Sequence, residues 1–502
     1  INRMGCNSSK AVEHDSSNAL VGARQGLTHE WHRDPYEKYE IVSTLGKGST
    51  GAAYKVKPRS KNGDVGPKYY CMKEIQIERL TDESMEELKN EIEILKELDH
   101  PNIIRPHETF EWKTKFVIVM ELASGGDLYT RFPYIEDQAA IIIGKLLSAI
   151  TYMHDSGITH RDIKLENIIF EDESSSEIKL IDFGFSKKFV KSKYLHERLG
   201  SVYTVAPEVV KGLYTEKADL WSVGVLAFML LSNGEMPFAQ GNTESRKFSR
   251  KQMVKNILRG SFNFEGPSWK DISQEAKDFI SLLLVRDPDK RLGANQALHS
   301  KWMLNKFNIN ERSTMLTEYS LSQITKSFQK YCRSCDLKKL SLMIIAHESD
   351  SKDVVELREA FDQFDVADNG TITMDEFKTA MRKYNDEYEP YSDKQLDLIF
   401  SEIDVDREGK ISYTEFLAAS LEFSGPIGEE KLHEAFSILD TDNSGFISKD
   451  NICEVLGKHC SEKEAEEFIA CADSARDGIL SFDEFRNAIN DGVCVIEPEK
   501  KC

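Results

Sequence analysis

The spacing of apolar residues changes character along the chain, and each change predicts a different kind of element. From about Tyr39 to Phe132, short alternating runs broken by glycine predict strand, glycine turn and strand. A third strand follows over Tyr69 to Ile75, then a helix through Met85 to Leu98 and two strands around Phe110 and Val117. From about Ile135 to Trp302 the period is helical, interrupted by loops at His160 to Asn167 and Asp182 to Glu208. Residues 303–352 read as a junction whose latter part, Ile324 to Ile345, returns to helical spacing with Lys and Arg interleaved. Beyond it, twelve-residue blocks begin at Asp365, Asp404, Asp440 and Asp473, each between helical apolar runs such as Leu357, Phe361 and Phe364, so helix-loop-helix units repeat. Residues 1–38 are polar and without period, which predicts a flexible arm, and residues 491–502 read as a tail. The expected fold is multidomain α+β: a small sheet with one helix and then a helical part up to residue 302, the junction, and an all-α module over 353–490.

Composition refines this division. The chain of 502 residues exceeds what one core organises, and the formal charge of −20 is unevenly placed. Residues 351–502 hold 37 Asp and Glu against 16 Lys and Arg, whereas residues 1–350 balance at 48 against 49. An acidic C-terminal third argues against nucleic acid as a partner and suits the gathering of divalent cations. The 9 cysteines lack regular spacing, so a reducing compartment is expected, and Cys332-x-x-Cys335 has no second pair nearby to complete a zinc site. The longest apolar stretch, around Val223 to Leu231, suits a buried helix, so the body reads as soluble and cytoplasmic. Met4-Gly5-Cys6-Asn7-Ser8-Ser9 fits the myristoylation pattern, with Met4 as the initiating residue and Ile1 to Arg3 as an addition ahead of it. A lipid on Gly5 and a second on Cys6 would bring the chain to the cytoplasmic face of a membrane.

The chemistry-bearing motifs of the first domain follow one another in a telling order. Gly46-Lys47-Gly48-Ser49-Thr50-Gly51 matches a phosphate-cradling turn, where glycine lets backbone N–H groups approach phosphate oxygens. Lys73 lies on a predicted strand and needs a buried partner, for which Glu91 on the next helix is the candidate. His160-Arg161-Asp162-Ile163-Lys164-Leu165-Glu166-Asn167 supplies a carboxylate, an ammonium and an amide oxygen, which suit a base, a γ-phosphate clamp and a metal ligand. Asp182-Phe183-Gly184 adds a second carboxylate able to hold Mg²⁺ on phosphates, and Ala206-Pro207-Glu208 closes the segment.

These motifs make residues 39–302 resemble a eukaryotic protein kinase domain that uses ATP and Mg²⁺. The resemblance implies that Asp162 is the catalytic base, that Lys164 contacts the γ-phosphate, and that Asn167 and Asp182 hold Mg²⁺. It places Leu45 and Ala53 over the adenine, Met120, Glu121 and Ala123 at the hinge, Asp127 near the ribose, and Ser201 facing the substrate. Lys164 is similar to the serine/threonine-specific class. Asp219 resembles the brace of the catalytic loop, and Arg291 the partner of Glu208. Leu165 departs from the commoner proline and Ser201 from the commoner threonine, without loss of a catalytic group. Glu197 is expected to serve Arg161 as a fixed anion. Glu166 and Asp127 imply protein substrates with arginine upstream of the phosphorylated residue.

The acidic blocks match the calcium loop in which positions 1, 3, 5, 7, 9 and 12 supply oxygens around a glycine at 6. The second is complete, with Asp404, Asp406, Glu408, the Lys410 carbonyl, Ser412 and Glu415. The first offers Asp365, Asn369, the Thr371 carbonyl and Glu376, and the fourth Asp473, Asp477, the Ile479 carbonyl and Glu484; both have alanine at position 3, Ala367 and Ala475. The third offers Asp440, Asp442, Ser444 and the Phe446 carbonyl but ends in Asn451, which forfeits the bidentate carboxylate. The second loop therefore ranks tightest for Ca²⁺.

A kinase domain, a junction and four such loops resemble the calcium-dependent protein kinase family of plants and apicomplexan protists, with a bilobal kinase fold and a calmodulin-like module. The resemblance implies that the junction helix inhibits the kinase until the calcium-loaded module grips or moves it. Lys326, Lys330, Arg333, Lys338 and Lys339 among Ile324, Phe328, Leu337, Leu340 and Ile344 fit such an intramolecular target. Two other readings stand beside it: a catalytically silent calcium-regulated scaffold, and a kinase indifferent to calcium.

Overall fold

The computed structural model describes residues 20, 26–47, 51–59, 68–190, 193–197, 200–239, 250–306, 316–384, 391–457 and 460–490. The alternating runs near the start form a six-stranded sheet of order β1-β5-β6-β4-β3-β2. Its strands are β1 (His29–Trp31), β2 (Tyr39–Lys47), β3 (Gly51–Pro58), β4 (Tyr70–Gln76), β5 (Pro106–Trp112) and β6 (Lys115–Glu121). The ladders are antiparallel except that β1 runs parallel to β5 at the edge. Helix α1 (Asp82–Glu97) is capped by the Thr81 hydroxyl, which accepts from Ser84 N, and buries Leu88, Glu91, Ile92, Ile94 and Leu95.

The second lobe is built around α2 (Glu136–Asp155) and α3 (Lys217–Leu231). Every residue of α3 from Ala218 to Leu231 is buried, as expected of a helix apolar all round. Glu208 and Arg291, fully out of solvent, clamp this lobe through two bonds of 2.6 and 3.0 Å. No helix among the described residues is long and apolar enough to cross a membrane.

The C-terminal module comprises α6 (Val355–Phe364), α7 (Met374–Lys383), α8 (Asp393–Ile403), α9 (Tyr413–Ser420), α10 (Glu429–Leu439), α11 (Lys449–Leu456), α12 (Glu462–Ala470) and α13 (Phe482–Asn490). Two-residue strands join the loops in pairs, with Ile372 opposite Ile411 and Ile447 opposite Leu480. The junction forms two helices, α4 (Glu318–Cys332) and α5 (Asp336–Glu348), packed inside this module. Phe328 of α4 is wholly buried, with ring centroids of Phe364, Phe377 and Phe416 at 5.8, 5.9 and 5.6 Å.

Two findings differ from the sequence reading. The helical spacing from Ile324 to Ile345 is broken at Arg333–Cys335, because α4 packs on α8 and α9 whereas α5 runs from α9 across to α10, α12 and α13. Lys338 and Lys339, read as part of a segment the module would hold, are buried: Lys338 bonds Glu422 at 3.0 Å and the Ile489 carbonyl at 2.6 Å, and Lys339 bonds Glu402. Residues 26–38, read as part of a flexible arm, contain β1 and a short helix at Pro35–Lys38 capped by Asp34. Their few apolar residues are spaced by tertiary contacts, not by a period.

Candidate catalytic cleft and calcium loops

A cavity of about 1180 Å³ opens between the lobes. Leu45, Gly46 and Ala53 line its roof, Met120, Glu121 and Ala123 its hinge side, and Lys73, Glu91, Asn167 and Asp182 its deep end. Lys73 Nζ lies 2.6 Å from Glu91 and 3.4 Å from Asp182. Burial lowers the Lys73 pKa, but Glu91 and Asp182 outweigh it and hold the ammonium above its usual range. Burial likewise opposes ionisation of Asp182, and Lys73 more than compensates. Phe183 is wholly buried with its ring centroid 5.0 Å from that of His160, which anchors the turn that presents Asp182. Asp182 carries a φ of +65° at this point.

The glycines have separate reasons. A Cβ on Gly51 would stand 1.7 Å from the Glu74 carbonyl oxygen, so the ladder between β3 and β4 itself demands glycine there. A Cβ on Gly46 would meet nothing within 4 Å, so the protein leaves free space beside this glycine on the cavity roof. Gly48 and Ser49 fall outside the described residues, as do Gly5 and Cys6. Lys47 ends β2 and does not line the cavity.

Asp162 is held from several sides: Lys164 at 2.5 Å, the Ser201 hydroxyl at 2.9 Å and Asn167 Nδ2 at 3.2 Å. The loop beneath it hangs on buried Asp219, which accepts from His154, Thr159, His160 N and Arg161 N, each at 2.9 Å. Arg161 reaches Glu197 at 3.2 Å and the Tyr214 hydroxyl at 3.2 Å, while Lys187 also pairs with Glu197. Burial pushes the Glu197 carboxyl up, but Lys187, a backbone N–H and Arg161 bring it down to about 2, so it stands as a permanent anion. Glu166 accepts from the Tyr203 hydroxyl. Asp127 caps the turn Leu128–Arg131 through Thr130 N at 3.0 Å, and does not line the cavity.

All calcium loops share one backbone. Position 4 has positive φ at Asp368, Arg407, Asn443 and Arg476, and position 6 at Gly370, Gly409, Gly445 and Gly478. In the second loop one carboxylate oxygen each from Asp404, Asp406 and Glu415 lie within 4.8 Å of one another, a cluster that fits a hard divalent cation. Asp404 accepts Glu408 N and Gly409 N at 3.0 Å each; Glu415 accepts Val405 N and Ser412 N at 2.8 Å each. Burial, aided by Asp406, pushes the Asp404 carboxyl up to about 6.

The first and fourth loops repeat this pattern. Asp365 and Asp473 accept the glycine N–H at 2.7 and 2.8 Å, and Glu376 and Glu484 accept Ala367 N and Ala475 N at 2.9 and 3.0 Å. Asn369 turns its oxygen to Thr371 N at 3.1 Å, and Asp477 to Ile479 N at 3.2 Å. In the third loop Asp440 accepts Gly445 N at 2.9 Å, Asp442 accepts Ser444 N at 3.1 Å, and the Phe446 carbonyl accepts from the Ser444 hydroxyl at 3.0 Å. Asn451 closes that loop differently. Its oxygen accepts Ser448 N at 2.8 Å, and its Nδ2 donates to the Thr441 hydroxyl at 2.8 Å.

The sequence reading missed the surface that joins the two machines. Arg358 of α6 forks onto Glu171 at 2.7 and 3.2 Å behind the hinge. Asp99 caps α9 from the kinase side, accepting Thr414 N and its hydroxyl at 2.8 Å each. Arg105 donates to the Ala346 and Ser349 carbonyls at the end of α5, and Glu348 meets His107 at 2.8 Å. Gly370 of the first calcium loop presses on the His100 ring, where a Cβ would stand 2.1 Å away. These pairs are single residues far apart in the chain, so no local pattern announces them. Cys71, Ile169 and Ile181, which also line the cavity, were missed because they look like ordinary core positions.

Comparison with known proteins agrees with both halves. The protein kinase domain family matches residues 39–303, and the EF-hand domain pair matches residues 354–421 and 429–489. Calcium-dependent protein kinase 5 of Plasmodium falciparum is 32% identical over 458 residues, covering 89% of this chain and 77% of the relative. Calcium-dependent protein kinase 7 of Arabidopsis thaliana is 32% identical over 460 residues, covering 89% and 82%. Calcium-dependent protein kinase 11 of Oryza sativa subsp. japonica is 31% identical over 463 residues, covering 90% and 76%.

Proposed function

This chain belongs to the calcium-dependent protein kinase family, and from that premise we propose how its two halves share one task. It is a calcium-activated serine/threonine protein kinase that uses ATP with Mg²⁺ and carries EF-hands for Ca²⁺. Asp162 accepts the proton of the substrate hydroxyl as that oxygen attacks the γ-phosphorus, the bond from phosphorus to the β–γ bridging oxygen breaks to release ADP, and Lys164 steadies the migrating phosphoryl group. Lys73, held by Glu91, orients the α- and β-phosphates. Asn167 and Asp182 would hold Mg²⁺, which when bound neutralises charge on the phosphate oxygens. Ser201, bonded to Asp162, orients the base toward the incoming hydroxyl.

The junction is the proposed regulatory element. Without calcium, α4 and α5 restrain the kinase; with calcium, the module grips them and docks behind the hinge. The observation that carries this reading is the burial of Phe328, Lys338 and Lys339 inside the module while Lys73, Asn167 and Asp182 line an open cleft. Glu166 favours substrates with a basic residue upstream of the phosphorylated one, and exchanges its Tyr203 partner for that cation. Acylation at Gly5 and Cys6 would bring the kinase to a membrane face. The deciding measurement is phosphorylation rate of a basic peptide against free calcium, for the full chain. A steep rise with calcium is expected, and an equal rate in chelator would refute the switch.

A further inference from the structure

Ahead of the kinase domain, a short run of residues touches three parts of the molecule at once. Gly26 lies so close to α11 that a Cβ would stand 2.0 Å from the Val455 carbonyl oxygen. Leu20 and Leu27, 6% and 5% exposed, belong to the apolar core of the calcium module and not to that of the kinase. From there β1 runs along β5, with His29 opposite Glu108 and Trp31 opposite Phe110. Glu30 then pairs with Lys96 in the last turn of α1, the helix that carries Glu91.

The geometry leaves little slack. An extended chain advances about 3.3 Å per residue, so Gly26 to Glu30 spans little more than about 13 Å between its anchors. Helix α1 is stiff from Glu91 to Lys96, a rise of about 7.5 Å. A shift of α11, which leaves the third calcium loop, is therefore transmitted to the helix whose glutamate holds Lys73. We propose that residues 26–31 form a strap through which the docked calcium module sets the position of α1, with Glu30 and Lys96 as positioning residues for phosphoryl transfer. The idea rests on the calcium-coupled reading above and adds a second route to it, separate from the junction helices.

The test uses the full chain and three variants: Gly26→Val, Glu30→Lys, and the reversed pair Glu30→Lys with Lys96→Glu. Activity is titrated with free calcium, and hydrogen exchange of α1 amides is followed at saturating calcium. Gly26→Val and Glu30→Lys are each expected to raise the calcium needed for half-maximal rate about fivefold and to speed exchange in α1. The reversed pair is expected to restore both. Glu30 is largely exposed, so Glu30→Lys keeps the test decisive if Gly26→Val fails to fold. The strap is overturned if the parent responds to calcium while α1 exchange stays unchanged in Glu30→Lys, or if the reversed pair restores nothing. A parent indifferent to calcium would instead overturn the switch itself.

Discussion

The catalytic loop and the second calcium loop both gather carboxylates on a short turn, yet they hold them in opposite conditions. Around Asp162 the partners are an ammonium, a hydroxyl and an amide N–H, all within 3.2 Å, so the proposed base is set before any substrate arrives. Around Asp404 the partners are the loop's own N–H groups, while Asp406 adds repulsion that, after burial, pushes the Asp404 carboxyl up to about 6. One cluster is electrostatically complete and the other is short of positive charge. Preorganisation serves a group that must act on every turnover, and deficit serves a group that must sense a cation.

The largest predicted effect would break this comparison if it spread from one site to the other. Asp162→Asn removes the proposed base while keeping its shape, so kcat should fall about a hundred- to ten-thousandfold. Calcium-driven changes in hydrogen exchange should stay as in the parent, since Asp162 takes no part in docking. Altered exchange in the module would show that the two sites are not separable.

Next comes the surface between them. Arg358→Ala leaves Glu171 behind the hinge with Lys179 at 3.5 Å and the Ser351 hydroxyl at 2.9 Å, so the loss stays below the about 3 kcal/mol of a fully stranded buried charge. The expected outcome is a higher calcium requirement with kcat at saturating calcium nearly retained, read from rate titrations. The same pair sets a pH dependence. Burial raises the Glu171 pKa, but Arg358 and Lys179 outweigh it and bring it to about 2. A depressed carboxylate stabilises docking fully above its ordinary value near 4.5, and that contribution disappears as pH falls toward 2. Exchange protection at the interface, measured down the acid range, should decline in the parent and lose this dependence in Arg358→Ala.

What was legible in the chain follows the same line. Catalysis and calcium binding demand particular residue types at fixed spacing, so Lys73, Asp162, Asp182 and the Asp and Gly positions of each calcium loop stand out by chemistry alone. Docking demands only that two distant residues meet. Asp99 with Thr414, and Arg358 with Glu171, are separated by 315 and 187 positions, and either partner reads as a routine polar surface residue. The break between α4 and α5 was hidden for a related reason. Helical spacing continues through Arg333 to Cys335 without glycine or proline, and only the two separate receiving surfaces of the module account for the turn. The strap escaped because Leu20, Leu27 and Trp31 bury themselves against different partners and so share no period.

Within the calcium loops, Glu415→Gln sharpens the contrast with the catalytic site. The side chain keeps its length but loses charge and strong bidentate binding, so the calcium midpoint should rise at least about tenfold with little change in maximal rate. Calcium titration of the intact chain, by calorimetry and by rate, measures both. An unchanged midpoint would mean that the second loop is not the tightest site.

The smallest effect concerns the third loop, where Asn451 stands between the two extremes. Its amide both accepts from Ser448 N and donates to the Thr441 hydroxyl, whose own hydrogen goes to Glu454, so a carboxylate there would keep the bond only by taking that hydrogen from Glu454. The loop thus satisfies itself without a cation while keeping the positive φ at Asn443 and Gly445 that the other loops use. Asn451→Glu exchanges one condition for the other. The calcium-free module should lose about 1 kcal/mol with the Thr441 bond, seen as a lower melting temperature in chelator. In return the third loop gains a negative, bidentate twelfth ligand, and calorimetry should register tighter calcium binding in the α10–α13 half. If stability falls and no binding appears, more than the last residue keeps calcium from the third loop, and alignment of Asp442 and Ser444 becomes the place to look.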